Sequence, residues 1–355
     1  MTGNGRFLPA VTDITLDDCM LQSDKVVGIE DWYENQFHYV LGEIEDYDFF
    51  LATCLVVFKG PPGGGYKMVE DGVMNHTHFF MLPKEMRGRM LDNDFVAGDS
   101  SPWQFLKGDD LTVVREGDRV VWRAAGRELI ARPPYWEVHG SHKGIEMDLV
   151  MHSICPGFWY LGHFKDIAQN MSAGVDEYTQ AEGTLTVGGK KYEISHAGGL
   201  YEHVALPGWD QVDIVSRGRY LWMVGWSEDI QIFVFYMPGL NNFTGHVIVD
   251  GKPISYRGAE QVVVDERGTW ADPRSSMLTA CQWHIRLICE EAVLDVVANN
   301  GGRTFTVNTF SNGHLGRYQN LAFASGSFTF ADGKTIPIKE VRMGVDRTVA
   351  FNVLR

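Results

Sequence analysis

Alternating hydrophobic and polar residues dominate the sequence and predict β-strands. The segment GTLTVGGKKYEI, residues 183–194, is typical of two strands joined by a tight turn at Gly188-Gly189. Two later segments repeat this device around Asp250-Gly251 and Asp332-Gly333. Residues 111–132, LTVVREGDRVVWRAAGRELIAR, add one or two further strand pairs. The pattern therefore predicts a chain built mainly from antiparallel hairpins.

Helical periodicity is confined to short stretches. The best candidates are PKEMRGRMLD, residues 83–92, and GHFKDIAQNMSAG, residues 162–174. The 39 glycines and 13 prolines of the chain favour many short strands separated by turns. We therefore expect a mostly β protein of sandwich or barrel architecture with few short helices.

Two parts of the chain resemble each other. Residues 31–62 and residues 209–239 each contain an aromatic strand, an acidic turn and a continuous apolar strand that ends in Pro and Gly. This similarity predicts two related β-domains. We place them at residues 1–178 and 179–355, because the strand pattern lapses near residues 165–182.

Composition and charge narrow the choice of partners. The 355 residues include 31 Lys and Arg against 46 Asp and Glu, a net charge of −15. An acidic chain without a basic run repels phosphate groups, so we expect no nucleic-acid partner and no binding to anionic membranes.

No apolar run approaches the roughly 20 residues that span a bilayer, and the first residues lack the pattern of a signal peptide. The five cysteines include no CxxC pair and are typical of reduced thiols. We therefore expect a cytoplasmic protein without membrane insertion, as a monomer or a homodimer.

Three segments carry a resemblance to a known family. Residues 29–58, IEDWYENQFHYVLGEIEDYDFFLATCLVVF, resemble the opening of the calycin-like hydroxyneurosporene synthase (carotenoid hydratase) superfamily. MNHTHFFML, residues 74–82, is similar to a His-bearing strand of those proteins, and residues 181–208 are similar to their interdomain segment. The chain departs from the family pattern at Asp31-Trp32-Tyr33, which lacks a second Trp, at Glu202, where the motif has Asp, and at Leu206-Pro207-Gly208-Trp209, which interrupts a Trp-Gly pair.

The resemblance implies both a fold and a chemistry. The superfamily includes carotenoid hydratases, kievitone hydratase and fungal lipocalin-like Diels–Alderases, which are similar in building two lipocalin-like β-barrels or half-barrels with an apolar cavity. It implies two antiparallel domains of this kind here and chemistry on a hydrophobic small molecule without a nucleotide cofactor. We expect an isoprenoid or polycyclic substrate and no cofactor of any kind. The acidic residue of the interdomain motif matches Glu202, so the resemblance implies a catalytic acid at this position.

The residues around Glu202 suit that role. In GLYEHV, alternation along a strand places Tyr201 and His203 on one face and Glu202 on the other. If Glu202 faces an apolar cavity, the loss of hydration raises its pKa above the roughly 4.3 of a free Glu. A neutral carboxylic acid can protonate an alkene or a leaving hydroxyl. We therefore predict Glu202 as the catalytic acid or base, with His203 and Tyr201 supporting it; the alternative is a salt-bridged residue that closes an interdomain turn.

Two pairs of residues are of the types that bind metal ions. His76 and His78 lie two residues apart, so their imidazoles point to one face of a strand, and Glu137 and His139 repeat this spacing. If the two pairs met in space, they could bind zinc or iron and support hydrolysis. A metal-free histidine pair is the more common outcome. We therefore predict no metal, assign His76 and His78 to substrate binding, and keep a metal-dependent hydrolase as an alternative.

The aromatic residues of the predicted strands would form an apolar wall with a few polar handles. Such a wall suits a polycyclic or isoprenoid guest, and its ring faces could stabilise a carbocation. Each aromatic residue taken alone is most often core packing. The substrate-binding candidates are Trp32, Tyr33, Trp136, Trp222 and Trp226.

Other segments carry weaker signals. The chain has no GxGxxG after a strand, no GxxxxGK[ST] and no GxSxG, which disfavours nucleotide-dependent and α/β-hydrolase chemistry. PPGGGYK, residues 61–67, lacks the spacing of a phosphate loop, and we predict a loop that covers the mouth of the cavity. Residues 311–320, SNGHLGRYQN, are predicted to place His314 or Arg317 on a loop at a barrel mouth.

These observations together predict a cofactor-independent lyase or isomerase, a hydratase or dehydratase in particular. It would act on a hydrophobic small molecule by acid–base proton transfer. Two alternatives stay open: the metal-dependent hydrolase, which chelators would inactivate, and a lipophilic ligand-binding protein, which would tolerate the loss of Glu202, His76 and His78.

Overall fold

Antiparallel strands in two curled sheets make up most of the structure. The structure, a computed structural model, describes residues 12–26, 32–59, 72–89, 103–170, 172–207, 211–272, 276–310 and 312–353. It confirms the predicted fold class, a mostly β protein with two lipocalin-like half-barrel sheets and few short helices. No helix in these ranges is long and apolar enough to cross a membrane. None of the five cysteines forms a disulfide.

The first sheet contains the strands of the N-terminal half. Its described strands are β1 (Trp32–Ile44), β2 (Tyr47–Lys59), β3 (Gly72–Pro83), β4 (Trp103–Lys107), β5 (Thr112–Glu116), β6 (Arg119–Ala124), β7 (Arg127–Arg132), β8 (Tyr135–His142), β9 (Ile145–Ser153), β10 (Phe158–Gly162), β11 (Ala173–Val187) and β12 (Lys190–Pro207). Their order is β4-β3-β2-β1-β12-β11-β9-β8-β7-β6-β5, and β10 pairs with β11.

The second sheet contains most of the remaining strands. They are β13 (Tyr220–Trp226), β14 (Ile230–Met237), β15 (Asn242–Val249), β16 (Lys252–Arg257), β17 (Val262–Arg267), β20 (Gln282–Ile288), β21 (Ala292–Phe310), β22 (Gly313–Phe330) and β23 (Thr335–Phe351), in the order β16-β15-β14-β13-β23-β22-β21-β20-β17. The short strands β18 (Trp270–Ala271) and β19 (Leu278–Thr279) pair with each other. The α-helices are α1 (Ile167–Asn170) and α2 (Gln211–Ser216), and 3₁₀ turns lie at Leu16–Cys19, Ser23–Lys25, Lys84–Met86, Gly108–Asp110, Phe164–Asp166 and Pro238–Leu240.

The two sheets repeat one arrangement of strands. The run β3-β2-β1-β12-β11 in the first sheet has the same connectivity as β15-β14-β13-β23-β22 in the second. The two similar stretches of sequence fall on β1–β2 and on β13–β14, which occupy corresponding places. The predicted domain boundary at residue 178 lies within β11, whereas the chain leaves the first sheet after Pro207 and enters the second at Tyr220. The division into domains stays a prediction.

The central strands of the first sheet are buried on both faces, which explains their nearly continuous apolar sequences. In β1, Val40 faces the core inside the first half-barrel, whereas Tyr39 and Leu41 face a second core that lies between the sheets. We call this second core the inter-sheet layer. Its members include Phe37, Tyr39, Phe50 and Tyr178 from the first sheet and Trp222, Trp226, Phe233 and Phe235 from the second.

Glycines let bulky side chains of one sheet approach the backbone of the other. A Cβ atom at Gly198 of β12 would lie 1.7–1.9 Å from ring atoms of Trp226, and a Cβ atom at Gly344 of β23 would lie 2.4 Å from the ring of Phe50. Both separations are far below van der Waals contact, and the rings are held by neighbouring packing. The seam between the sheets therefore depends on glycine at these positions.

Gly198→Ala is expected to destabilise the protein by this clash. Overpacking a dense core costs about 1–3 kcal/mol in the free energy of unfolding, and we expect a loss in that range by urea denaturation. The loss should shrink in a Trp226→Leu background, because the smaller side chain leaves room for the new methyl group. Ser195→Ala, at an exposed position of the same strand, is the control, and equal stability of the two alanine variants would contradict the clash.

Candidate functional site

Two buried carboxyl groups lie side by side in the inter-sheet layer. Asp176 of β11 and Glu202 of β12 are directly opposite each other in the strand register. Asp176 is fully buried and Glu202 is 6% exposed. The strand neighbours Leu200 and Val204, which share the face of Glu202, belong to the apolar inter-sheet layer. The pair is therefore held in surroundings that strongly disfavour two negative charges.

Polar side chains from two other strands hold Glu202. Asn35 of β1 donates from Nδ2 to Glu202 Oε1 at 2.9 Å, and the Tyr160 hydroxyl of β10 donates to Oε2 at 3.2 Å. Asn35 is itself fixed, because its Oδ1 accepts from the backbone N–H of Val204 at 3.0 Å. Neither oxygen of Asp176 has a hydrogen-bond partner among the described residues. Glu202 is thus oriented by two donors, whereas the Asp176 carboxyl is left open to a further group.

Burial shifts the protonation of both groups in the same direction. Loss of hydration raises the pKa of Glu202 to about 7, and the hydrogen bonds from Asn35 and Tyr160 oppose part of this rise. Burial also raises the pKa of Asp176 well above its usual range, and the neighbouring Glu202 carboxylate raises it further. Both groups therefore keep a proton to higher pH than free carboxylic acids do, and a general acid requires this protonated state.

The second sheet contributes a charged pair to the same region. Arg317 of β22 donates from Nε to Oδ2 of Asp346 of β23 at 2.6 Å, and both side chains are largely buried. The Arg317 guanidinium lowers the pKa of Glu202, by less than burial raises it. The prediction that residues 311–320 form a loop is wrong for His314 and Arg317, which lie in β22. This segment forms a strand because β22 pairs with β21 on one side and with β23 on the other.

His76 and His78 share one face of β3, as their spacing predicts, and this face belongs to the inter-sheet layer. The ring of His76 lies 5.3 Å from that of Phe37, and His78 Nε2 lies 2.5 Å from the Thr304 hydroxyl of the second sheet. Burial lowers the pKa of His78 to about 3 and that of His76 well below its ordinary value. Both imidazoles are therefore neutral and can bind a substrate as hydrogen-bonding groups.

Glu137 and His139 lie elsewhere. They are on the outer face of β8, where His139 contacts Glu137 at 3.0 Å through Nε2 and Asp148 at 2.9 Å through Nδ1. The described residues contain no group of three or more His, Cys, Asp or Glu arranged to hold a metal ion. The structure thus does not bring the two pairs together as the hydrolase alternative requires.

Tyr201 and His203 are separated from Glu202 by the sheet itself. Alternation turns both side chains into the first half-barrel. There Tyr201 stacks on Trp136 at 3.7 Å, and His203 Nε2 lies 2.9 Å from Glu34 Oε1. Neither residue contacts the Glu202 carboxyl. Their predicted support of Glu202 would have to act through the backbone of β12.

The predicted aromatic residues divide between the two cores. Tyr33, Trp222 and Trp226 line the inter-sheet layer, and Trp32 and Trp136 lie inside the first half-barrel. Tyr39 faces Trp222 at 4.1 Å across the layer. The aromatic wall near Glu202 therefore consists of side chains from both sheets.

Sequence reasoning missed Asp176, Asn35 and Tyr160. Asp176 lies in the region where the strand pattern was expected to lapse, although its alternation with Tyr178 marks the same face as Glu202. Asn35 and Tyr160 have no motif, and only the fold brings them to Glu202. The predicted loop at residues 61–67 and the motif positions Gly208 and Trp209 lie outside the described residues.

Comparisons with known proteins bear on the fold. No family model and no curated protein sequence matches the chain. Three solved structures are similar: a Nitrosomonas europaea protein provisionally named AttH (TM-score 0.57, 9% identity, covering 96% of this chain and 98% of that one), kievitone hydratase from Nectria haematococca (0.51, 10%, 99% and 96%), and CghA with Sch210972 (0.57, 12%, 91% and 89%). The fold of the superfamily suggested by the sequence is thereby confirmed.

The raised pKa of Glu202 has a consequence for stability. The folded pKa of about 7 exceeds the roughly 4.3 of an unfolded Glu, so this group favours folding at low pH and loses that contribution as pH rises through 7. Relative to Glu202→Gln, the wild type should lose about 2–3 kcal/mol of unfolding free energy between about pH 5 and about pH 8. Denaturant curves across this range measure the difference. Glu193→Gln, exposed on the same strand, should track the wild type, and parallel wild-type and Glu202→Gln profiles would refute the raised pKa.

Proposed function

We propose that this protein is a cofactor-independent lyase or isomerase that hydrates or dehydrates a hydrophobic isoprenoid or polycyclic molecule. The observation that supports this proposal is the buried carboxyl pair of Asp176 and Glu202, placed among aromatic side chains of both sheets. The name of one structural neighbour, kievitone hydratase, and the presence of Sch210972 in the structure of another, CghA, are compatible with a small-molecule substrate.

The proposed reaction needs one proton donor and one proton acceptor. In the direction of hydration, protonated Glu202 transfers its proton to one carbon of an alkene, and a cation forms at the neighbouring carbon. Water attacks this cation, and its surplus proton passes to the carboxyl pair. One water is added, the pair regains its proton, and no redox partner is needed. Dehydration is the same sequence in reverse.

The surrounding residues suit these steps. Asn35 and Tyr160 orient the Glu202 carboxyl, and Asp176 retains free oxygens that can accept the proton of the attacking water. The ring faces of Tyr39 and Trp222 would lower the energy of a cation formed between the sheets. His76 and His78, both neutral, would bind a substrate hydroxyl without adding charge.

Glu202→Gln is expected to abolish proton transfer with little change in shape. Positioned acid–base groups contribute about 100- to 10,000-fold to rate, and we expect a loss in this range. Native mass spectrometry of the purified protein would first identify a retained organic guest. Incubation of that guest, or of a panel of isoprenoid polyenes, in D₂O then measures the addition of water and the transfer of one solvent deuteron to carbon. The wild-type rate should fall as pH rises through about 7, since Glu202 loses its proton there.

The control variant is Glu193→Gln, which changes an exposed carboxyl of the same strand and should keep the wild-type rate. A guest that binds equally well to the wild type and to Glu202→Gln, with no deuterium transfer by either, would make the protein a ligand carrier. Full turnover by Glu202→Gln would remove Glu202 from the reaction, and loss of turnover on adding a chelator would favour a hydrolase.

A further inference from the structure

The interior of the first half-barrel is polar where the corresponding part of the second is apolar. The strand β1 points Glu34, Gln36 and His38 inward, and all three are buried. The corresponding strand β13 points Leu221 and Met223 into the apolar core of the second sheet. Because the same arrangement of strands is filled by apolar side chains in one half, the fold itself does not require the polar ones.

Arg127 is the cation of this interior. It begins β7, is 1% exposed, and reaches across to β2 and β3. Its Nη1 donates to the Asn75 side chain and, at 3.3 Å, to the carbonyl oxygen of His76, and its Nη2 donates to the Thr53 hydroxyl. All of these acceptors are neutral. The remaining donor, Nε–H, has no partner among the described residues.

No carboxylate in the described part of the chain pairs with Arg127. Its pKa, lowered by burial to about 10, still leaves the guanidinium charged at neutral pH. The nearby His38 cannot supply a negative charge. Burial lowers its pKa to about 3 and the Arg127 charge lowers it further, so the imidazole is neutral. A buried charge without a counter-charge is strongly destabilising, since desolvation is not offset by an opposite charge.

His38 adds a second donor to this region. Its side chain points into the same interior, with its ring centroid 5.5 Å from that of Tyr201. Both ring nitrogens are buried and lack a partner among the described residues. A neutral imidazole has one N–H, so His38 and Arg127 Nε each bring an unused donor beside the positive charge of Arg127. Donors together with a positive charge select an anion over a cation or a neutral guest.

We propose that the first half-barrel holds a small monovalent anion, of the size of chloride or formate, against Arg127 and His38. His38 is opposite Thr53 in the pairing of β1 with β2, and Thr53 accepts from Arg127, so the two side chains belong to neighbouring positions of this interior. The anion balances the buried guanidinium, and the site is separate from the carboxyl pair on the other face of the sheet.

The test compares the thermal stability of the full chain in sodium chloride and in sodium gluconate of equal concentration, because gluconate is much larger than the anions that the proposal names. For a site half-filled at about 10 mM, chloride at about 200 mM should raise Tm by about 2 °C over gluconate. Arg127→Met should lose this difference, whereas Arg123→Met, which changes a partly exposed arginine of the neighbouring strand β6, should keep it. Crystals soaked in bromide should show an anomalous peak beside Arg127 Nε.

Equal Tm values in chloride and gluconate would overturn the proposal. Bromide peaks confined to the surface would mean an adventitious ion only and would also overturn it. A carboxylate of residues 60–71 or 90–102 paired with Arg127 in a crystal structure would do the same. If Arg127→Met does not fold, the wild-type salt comparison and the bromide map decide the question without it.

Discussion

Residues 197–206 of β12 are buried on both faces of the sheet, so the register of this strand decides which of two interiors receives each of their side chains. A shift of one residue against β1 and β11 would exchange Glu202 with Tyr201 and His203. Three adjacent polar residues of one motif thereby enter two unrelated environments. Glu202 meets Asp176 and the aromatic rings of the inter-sheet layer, and His203 meets Glu34 inside the first half-barrel.

The two buried glutamates on opposite faces of the sheet, Glu34 and Glu202, have different hydrogen-bond partners. Glu34 accepts hydrogen bonds from the backbone N–H groups of Gln22 and Ser23 and contacts His203, so its carboxyl group is well satisfied and ties the N-terminal segment to the sheet. Glu202 has only the two neutral donors Asn35 and Tyr160, which offset part of the cost of burial. A carboxylate with a full set of hydrogen bonds stabilises the fold, whereas a buried carboxyl group with too few of them has a raised pKa and holds its proton more tightly. This difference is the physical reason to seek chemistry at Glu202 and architecture at Glu34.

The fold and part of the candidate site could be predicted from the sequence. Alternation and glycine turns predict the hairpins, and spacing alone predicts that His76 and His78 share a face that Thr77 does not. Alternation cannot say which face of a doubly buried strand meets which core, so it does not tell that Trp32 and Trp136 lie inside the first half-barrel whereas Trp222 and Trp226 lie in the inter-sheet layer. Arg317 and Asp346 lie on strands more than 100 residues beyond Glu202 in the sequence. No local sequence pattern predicts that they come close to it.

The raised pKa of Glu202 depends on the packing of the two sheets against each other. Asp176, Glu202, Asn35 and Tyr160 all belong to the first sheet, but the aromatic rings of the layer around them come from both sheets. The Tyr160 ring, for example, lies 5.4 Å from that of Phe233. If the seam opened, the carboxyls would be rehydrated and the pKa of Glu202 would fall toward that of a free Glu. A change at the seam that leaves every group of the pair in place can therefore weaken the acid, which makes the packing at Gly198 and Trp226 part of the proposed catalytic apparatus.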